Sequence, residues 1–339
     1  MTQNTSPLKI SIGFGEAEGA SVVRDRVLLA DKLGFHGVWI ADHFMPWFHS
    51  GKNSPFVWSL IASCLESTKN IKVGPCVTTP IGGRYHPALI AQASATIENM
   101  YPGRFRLSVG TGEAVNEARF SMGWPSLKER TERLVEGLDL IKELWASDEF
   151  VKHDGKYFPM NDVFLYTKPK QPPPIYFSCL GPKSAYLAGE LGYDLLTLIV
   201  NGSDVGVTVQ RCGDVIIPKF DAGVKSAGSD PKGKQKVVGL SLSFDSKEKF
   251  LSNARNFAGY YARGALDEPD PREMATRKSG SVTDEDLLKE YVYCSSWDDA
   301  IDVTKRLEEM GATEVFFWTG TDPDLITKYA EKILRYFTS

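Results

Sequence analysis

Phe105-Arg106-Leu107-Ser108-Val109-Gly110-Thr111-Gly112-Glu113-Ala114-Val115-Asn116-Glu117 is the stretch from which the architecture of this chain is read. Phe105 to Val109 has the character of a buried strand. Gly110 and Gly112 then let the backbone come close to a ligand. Glu113 and Asn116 follow in the turn that leads toward a helix. A carboxylate directly after a strand, beside exposed backbone N–H groups, is a usual place for chemistry in an α/β protein. Alone the pattern is common, because Gly-Thr-Gly closes many ordinary turns. A second stretch of the same character, Ala41-Asp42-His43-Phe44-Met45-Pro46-Trp47, also follows an apolar run.

The strand–turn–helix unit repeats along the chain. Apolar runs occur at Lys9–Phe14, Gly37–Ala41, Ile71–Thr78 and Phe105–Gly110, and again at Ile175–Cys179, Leu195–Val200, Val237–Leu242 and Val315–Thr319. Helical periodicity lies between them. Val23, Val27 and Ala30 share one face, as do Leu134, Leu138, Ile141 and Trp145. Pro87 suits the first turn of a helix running toward Asn99. Ala300, Val303, Leu307 and Met310 mark a late helix, and Ile326, Ala330, Ile333 and Phe337 a final one. Eight runs alternating with helices predict parallel strands joined by right-handed crossovers, an α/β fold of the (β/α)8 TIM-barrel type. An open doubly wound sheet is the alternative, but no G-x-G-x-x-G follows the first run. The chain is expected to form a single domain over 1–339, with insertions at about 146–174 and 262–290 at the C-terminal rim. The first ends in Pro172-Pro173-Pro174; the second is charged and lid-like.

Composition bounds the function. Of 339 residues 42% are hydrophobic, enough for a full core, and the net charge of −4 gives no general pull toward nucleic acid or an anionic membrane. No apolar run approaches the roughly 20 residues of a membrane span. Met1 to Pro7 is polar and lacks a signal core, so a cytoplasmic protein is expected. The five cysteines are scattered and form no C-x-x-C pair, and the five histidines show no metal spacing, so no metal is expected.

In such a barrel the active site lies where the strands end. Those ends carry Asp42, His43 and Trp47; Thr78, Thr79 and Pro80; Thr111, Gly112, Glu113 and Asn116; and Leu180, Gly181, Pro182, Lys183 and Ser184. A histidine and a glutamate at neighbouring mouths can act as a proton-transfer pair. Gly181-Pro182-Lys183-Ser184 is suited to open a helix whose N–H groups hold a phosphate. Each group also has a plainer account. His43 beside Asp42 is, taken singly, an ordinary loop histidine. Trp47 is more often packing than a pocket wall. Glu113 can cap its helix or pair with Arg84 or Arg104, and Lys183 can be simply solvated. Their coincidence at one rim is what favours function.

With those residues in place the chain resembles the bacterial-luciferase-like superfamily, and within it the dehydrogenases that use the deazaflavin coenzyme F420. The resemblance runs along nearly the whole chain. Its carriers are Ala41-Asp42-His43-Phe44-Met45-Pro46-Trp47, Arg84-Tyr85-His86-Pro87 with Ala91-Gln92-Ala93, Tyr101-Pro102-Gly103-Arg104, and Val109 to Glu117. Phe164-Leu165-Tyr166-Thr167-Lys168-Pro169, Tyr176-Phe177-Ser178 and Gly181-Pro182-Lys183 continue it. The Leu-Tyr-Thr-Lys-Pro stretch is most similar to the branch that acts on secondary alcohols, with the sugar-phosphate branch as neighbour.

The resemblance implies that Asp42, Thr79, Thr111, Gly112, Asn116, Leu180, Gly181, Lys183 and Ser184 hold the coenzyme. It implies a cis bond at Cys76-Val77 that backs the ring, and His43, Trp47 and Glu113 facing the reactive carbon. His43 is then the base that takes the hydroxyl proton, Glu113 manages charge, and Trp47 shapes the pocket. It also implies a homodimer acting on a small alcohol or sugar substrate. In the sugar-phosphate branch, cations after the sixth strand and in a later loop clamp the phosphate. Here Leu198-Ile199-Val200-Asn201-Gly202 has none, and Glu290 stands where an arginine is expected, although Arg255 or Arg263 can substitute. The expectation is therefore secondary-alcohol oxidation, with sugar-6-phosphate oxidation as the alternative. A methanopterin-linked reductase, an FMN monooxygenase and a non-catalytic binder rank behind.

Overall fold

The computed structural model describes residues 7–199, 207–255, 264–276, 283–285 and 292–338. Its strands are β1 (Lys9–Phe14), β2 (Gly37–Ile40), β3 (Lys72–Pro75), β4 (Leu107–Val109), β5 (Val151–His153), β6 (Met160–Val163), β7 (Ile175–Ser178), β8 (Asp194–Leu198), β9 (Lys236–Leu240), β10 (Leu242–Ser243), β11 (Val292–Tyr293) and β12 (Glu314–Trp318). Eight of them form one sheet in the order β3-β2-β1-β12-β9-β8-β7-β4. The neighbours pair in parallel. Parallel bridges Val73↔Phe105 and Thr78↔Val109 join β3 to β4 and close the ring. The (β/α)8 barrel expected from the alternation is the observed fold.

The helices bury the faces that their periodicity marks. In α1 (Ala20–Leu33) Val23, Val27 and Ala30 are buried, and Gly34 ends the helix at φ 89°. Position C′ there needs a left-handed backbone, which glycine adopts without steric cost. After α2 (Val57–Ser67) comes α3 (Pro87–Met100), which has Pro87 in its first turn and a His86 side chain accepting from Ala88 N–H at 3.2 Å. The short α4 is Ala114–Glu117. In α5 (Leu127–Ala146) Leu134, Leu138, Ile141 and Trp145 face inward. The last helical segment departs from a simple period. A π-turn at Ala330–Leu334 moves the buried set to Ile326, Tyr329, Ala330, Ile333 and Leu334, and leaves Phe337 half-buried.

The two insertions differ. Residues 146–174 carry the antiparallel β5–β6 pair. Their roots lie at the N-terminal end of the barrel, where Pro174 O accepts from Leu107 N–H and Lys168 O from Asn99. The hairpin lies along α5, and Glu136 Oε1 accepts from Tyr157 N and Phe158 N at 2.7 Å. Only its tip climbs toward the strand ends, where Phe158 packs against Gly82. The second insertion is described over 264–276 and 283–285. It holds a 3₁₀ turn, Ala265–Asp267, and a helix, Pro271–Thr276, rather than a structureless loop. Trp124 Nε1–H donates to Asp267 at 2.7 Å, and Arg119 lies 3.6 Å from Asp270, so it sits on the rim beside the loop after α4.

Large side chains fill the lumen: Trp39, Tyr176, Leu196, Val237 and Phe316. Among them lies a buried ion pair. Arg106 Nη1 reaches Glu314 Oε1 at 2.8 Å and Oε2 at 2.7 Å, Trp39 Nε1–H donates to Oε1 at 3.0 Å, and the guanidinium stacks 3.9 Å from the Trp39 ring centroid. Gly37 makes room, because a Cβ there would overlap the guanidinium. Burial alone would raise the Glu314 carboxyl, but Arg106 holds it below the usual range. His36, beneath it, is pushed down to about 4, chiefly by burial, and is neutral at pH 7.

Removing one partner of a fully buried pair strands the other charge. Arg106→Met is expected to lower the unfolding free energy by roughly 3–5 kcal/mol in urea melts. The double change Arg106→Met, Glu314→Leu should recover part of that loss. A double variant no more stable than the single one would show that the charge is not what makes Arg106 necessary.

Candidate active site

The C-terminal ends of β2, β3, β4 and β7 bring the expected residues to one rim. His43, only 7% exposed, leaves β2 two residues after Ala41. Its Nδ1 lies 3.1 Å from the Met45 carbonyl oxygen. A carbonyl can only accept, so Nδ1 carries the proton and the neutral ring presents the lone pair at Nε2. That nitrogen stands 3.5 Å from Glu113 Oε2. Two acceptors facing each other need a proton between them. An imidazolium supplies it, and so does a hydroxyl that enters the gap. The Trp47 ring lies 5.6 Å from the His43 ring, tilted by 58°, and its backbone N–H is held by Glu16 Oε1 at 3.1 Å.

Glu113 occupies the N-cap position of α4 but makes no capping bond. It accepts from Asn116 Nδ2 at 3.0 Å instead. Nor does it pair with Arg84 or Arg104. Arg104 donates to the Thr68 and Leu65 carbonyls, and Arg84 goes elsewhere. Asn116 is 2% exposed, and its Oδ1 accepts from Phe44 N at 2.9 Å and Met45 N at 3.4 Å. The amide thus stitches the His43 loop to the Glu113 turn and fixes the separation of the two.

Arg84 is a residue that the sequence offers only as part of a motif and as a partner for Glu113. It clasps Asp42 twice, Nη1 to Oδ1 at 2.9 Å and Nη2 to the main-chain oxygen at 3.0 Å. Tyr85 O–H adds a bond to Oδ1 at 3.1 Å. On its other side Arg84 N–H donates to Glu117 Oε2 at 2.9 Å, and Thr79 O–H donates to Glu117 Oε1 at 2.6 Å. Burial pushes the carboxyls of Asp42 and Glu117 up, and Arg84 opposes the rise in both. Glu117 is likewise a site element that sequence reasoning quoted without a role. Three paired groups separated by tens of residues leave no local signal.

The remaining residues form the walls. The Cys76–Val77 peptide is cis, at the position expected. Gly110 packs on it; a Cβ there would lie 2.7 Å from Val77 Cγ2. Burial raises the Cys76 thiol far above its ordinary range. Thr111 and Gly112 are half-buried at the turn after β4, with Gly112 at φ 77°. Leu180 precedes α6 (Pro182–Glu190), whose N-cap is Gly181; Ser184 O–H bonds back to Gly181 O at 2.9 Å, and Lys183 is exposed. First-turn N–H groups of a helix have no partner within it and can meet an anion. Asn201, Gly202, Arg263 and Glu290 lie outside the described residues. A cavity of about 600 Å³ on the outer face of α5, lined by Glu132, Glu136, Asp139, Glu143 and His153, is remote from this chemistry.

Residues 8–314 match the family model described as luciferase-like monooxygenase. A protein of Gordonia bronchialis called F420-dependent glucose-6-phosphate dehydrogenase is 33% identical over 85% of this chain and 84% of its own. One of the same name from Microbacterium testaceum is 31% identical over 97% of each. Among solved structures, an F420-dependent secondary alcohol dehydrogenase in complex with an F420–acetone adduct superposes with a TM-score of 0.87 at 32% identity, covering 97% of this chain and 99% of that one.

If Asn116 is the stitch, Asn116→Ala leaves two backbone donors and the Glu113 carboxylate without it. The expected loss is about 1–3 kcal/mol of stability together with faster hydrogen exchange at the Phe44 and Met45 amides. Unchanged exchange at both amides would mean that the loop is held by something else.

Proposed function

The chain belongs to the luciferase-like monooxygenase family, within its F420-dependent dehydrogenases acting on CH–OH groups, and on that premise we propose that it interconverts a small secondary alcohol and its ketone. The observation that carries the proposal is the His43 ring, its tautomer set by Met45 and its free Nε2 aimed across a short gap at Glu113.

The residues present fit a deazaflavin. The coenzyme joins a flat ring to an anionic tail that contains a phosphate. Cys76, Val77 and bare Gly110 offer a flat wall to the ring. The start of α6, with Leu180, Gly181, Lys183 and Ser184, offers N–H groups and a cation to the tail. Asp42, Thr79, Thr111, Gly112 and Asn116 lie between, and of these Thr111 and Gly112 are half-buried and the other three buried. When bound, the deazaflavin supplies the acceptor and donor of the hydride.

The chain's own residues handle the proton. His43 Nε2 accepts it from the alcohol hydroxyl as the C–H bond breaks. The resulting imidazolium is held between the Met45 carbonyl and the Glu113 carboxylate, which lowers the barrier to charge formation there. Trp47 walls the pocket and can donate from its indole N–H. A phosphate monoester needs arginine, lysine or a free helix N-terminus to answer its charge. The described arginines of the mouth loops already face carboxylates: Arg84 with Asp42, Arg119 and Arg272 with Asp270, and Arg255 with Asp284. The second reading, oxidation of glucose 6-phosphate, is favoured by the names of the sequence relatives.

We further place the enzyme in the cytoplasm as a homodimer. All five cysteines are free and buried, which suits a reducing compartment. Phe150 and Tyr166, on and beside the β5–β6 insertion, are 61% and 83% exposed and offer apolar surface to a second copy. No helix among the described residues is long and apolar enough to cross a membrane.

Replacing the base tests the mechanism. His43→Ala should lower kcat by roughly two to four orders of magnitude while leaving F420 affinity nearly unchanged. Near-wild-type turnover would reduce His43 to a loop residue. The substrate is tested by comparing kcat/KM for propan-2-ol and for glucose 6-phosphate in one F420-reduction assay. The secondary alcohol is expected to be the better substrate, and a clear preference for the sugar phosphate would reverse the assignment.

A further inference from the structure

Glu117 is wholly buried, and its two carboxylate oxygens are taken by the Thr79 hydroxyl and the Arg84 backbone N–H. It occupies a slot shaped for it. A Cβ on Gly83 would overlap Oε2, and one on Gly112 would lie 3.0 Å from Cγ. The slot joins the loop after β3 to the turn after β4. From it Glu117 holds the backbone of Arg84 at 2.9 Å and stands 3.7 Å from the guanidinium Nε. The guanidinium then grips Asp42 by side chain and main chain at once. Asp42 Oδ1 is therefore occupied by Arg84 and Tyr85. Its Oδ2 is buried beside Thr78 without a hydrogen bond of ordinary geometry.

We propose that Glu117 and Arg84 are positioning residues for the coenzyme: together they fix the orientation of the Asp42 carboxylate, whose buried Oδ2 is left without a partner, at the coenzyme site, and neither touches the coenzyme itself. The proposal rests on the coenzyme reading given above. The physical reason is charge sharing. One guanidinium faces two carboxylates in a low-dielectric site. With Glu117 ionised, Arg84 is pulled from both sides and sits at a fixed depth, so Asp42 keeps acceptor strength for a ligand. Without that second carboxylate the guanidinium settles wholly on Asp42 and turns it away. Neither the His43 nor the Glu113 side chain takes part in these contacts, so binding of the coenzyme should suffer more than the chemical step.

The test is a double-mutant cycle read by fluorescence titration of F420, with the melting temperature of the unloaded protein and kcat at saturating F420 measured alongside. Glu117→Gln is expected to raise Kd about tenfold, and less than about twofold in an Asp42→Asn background, because its effect passes through Asp42. kcat at saturating coenzyme should stay within about threefold of wild type. Arg84→Lys keeps the charge, loses the fork, and should show the same dependence on Asp42; it serves if Glu117→Gln fails to fold. Equal losses of affinity in both backgrounds, or a loss that tracks the melting temperature, would overturn the proposal and leave Glu117 a purely structural residue. Failure of the wild-type protein to bind F420 would instead overturn the coenzyme reading on which the proposal stands.

Discussion

One guanidinium buried between two carboxylates holds the working end of this barrel in register. Arg84 comes from the loop after β3, Asp42 from the end of β2, and Glu117 from the turn after β4. Burying such charges is costly, and their attraction repays the cost only when hydrogen bonds satisfy the remaining atoms. Here Tyr85, Thr79 and the Arg84 backbone supply such bonds, and Asp42 Oδ2 and Arg84 Nε are left without one. Because the network draws in three successive strand ends, none of the loops can shift alone. The Asn116 stitch is a separate tie between the same loops, and it sets the His43–Glu113 separation of 3.5 Å.

A second buried pair does a different task at the other end. Arg106 and Glu314 sit in the lumen with Trp39 stacked on the guanidinium and His36 beneath. Tyr176, Phe316 and Leu196 fill the space around them. A lumen packed in this way is a core and not a passage, so a ligand can be met only at the strand ends. The division matches the chemistry: bulky groups and a buried ion pair at the N-terminal end, and half-buried backbone, a lone pair and a carboxylate at the C-terminal end.

The solved alcohol dehydrogenase shares the barrel of this chain, and it and the relatives named as glucose-6-phosphate dehydrogenases are each about a third identical to this chain. What those enzymes have in common, hydride transfer between a CH–OH carbon and F420, needs only a base and a held ring. A phosphate monoester and a neutral alcohol ask different things of a mouth, and how a mouth answers charge depends on side chains far apart in sequence. The proposal of a neutral alcohol rests on the paired arginines at the mouth and on the apolar neighbour in Trp47.

Local pattern in the sequence decided the barrel. Strands of a parallel barrel are covered on both faces, so they read as apolar runs, and Lys9–Phe14 or Ile175–Ser178 was legible to within a residue. Val23, Val27 and Ala30, or Leu134, Leu138 and Ile141, fell on one face by their spacing alone. The rim residues were legible for the same reason, since a strand end fixes where His43 and Glu113 must emerge. The β5–β6 pair was not, because strands as short as Val151–His153, largely polar and partly exposed, carry no period. The π-turn near Ala330 was hidden too, because the helix continues through it. Above all, partner choice was illegible. Arg84 reaches Asp42 across 42 positions, Asn116 reaches Phe44 across 72, and Arg106 reaches Glu314 across 208. Any of several carboxylates would satisfy Arg84 by charge. Closure of the ring, which sets β2, β3 and β4 side by side, selects the one within 3 Å.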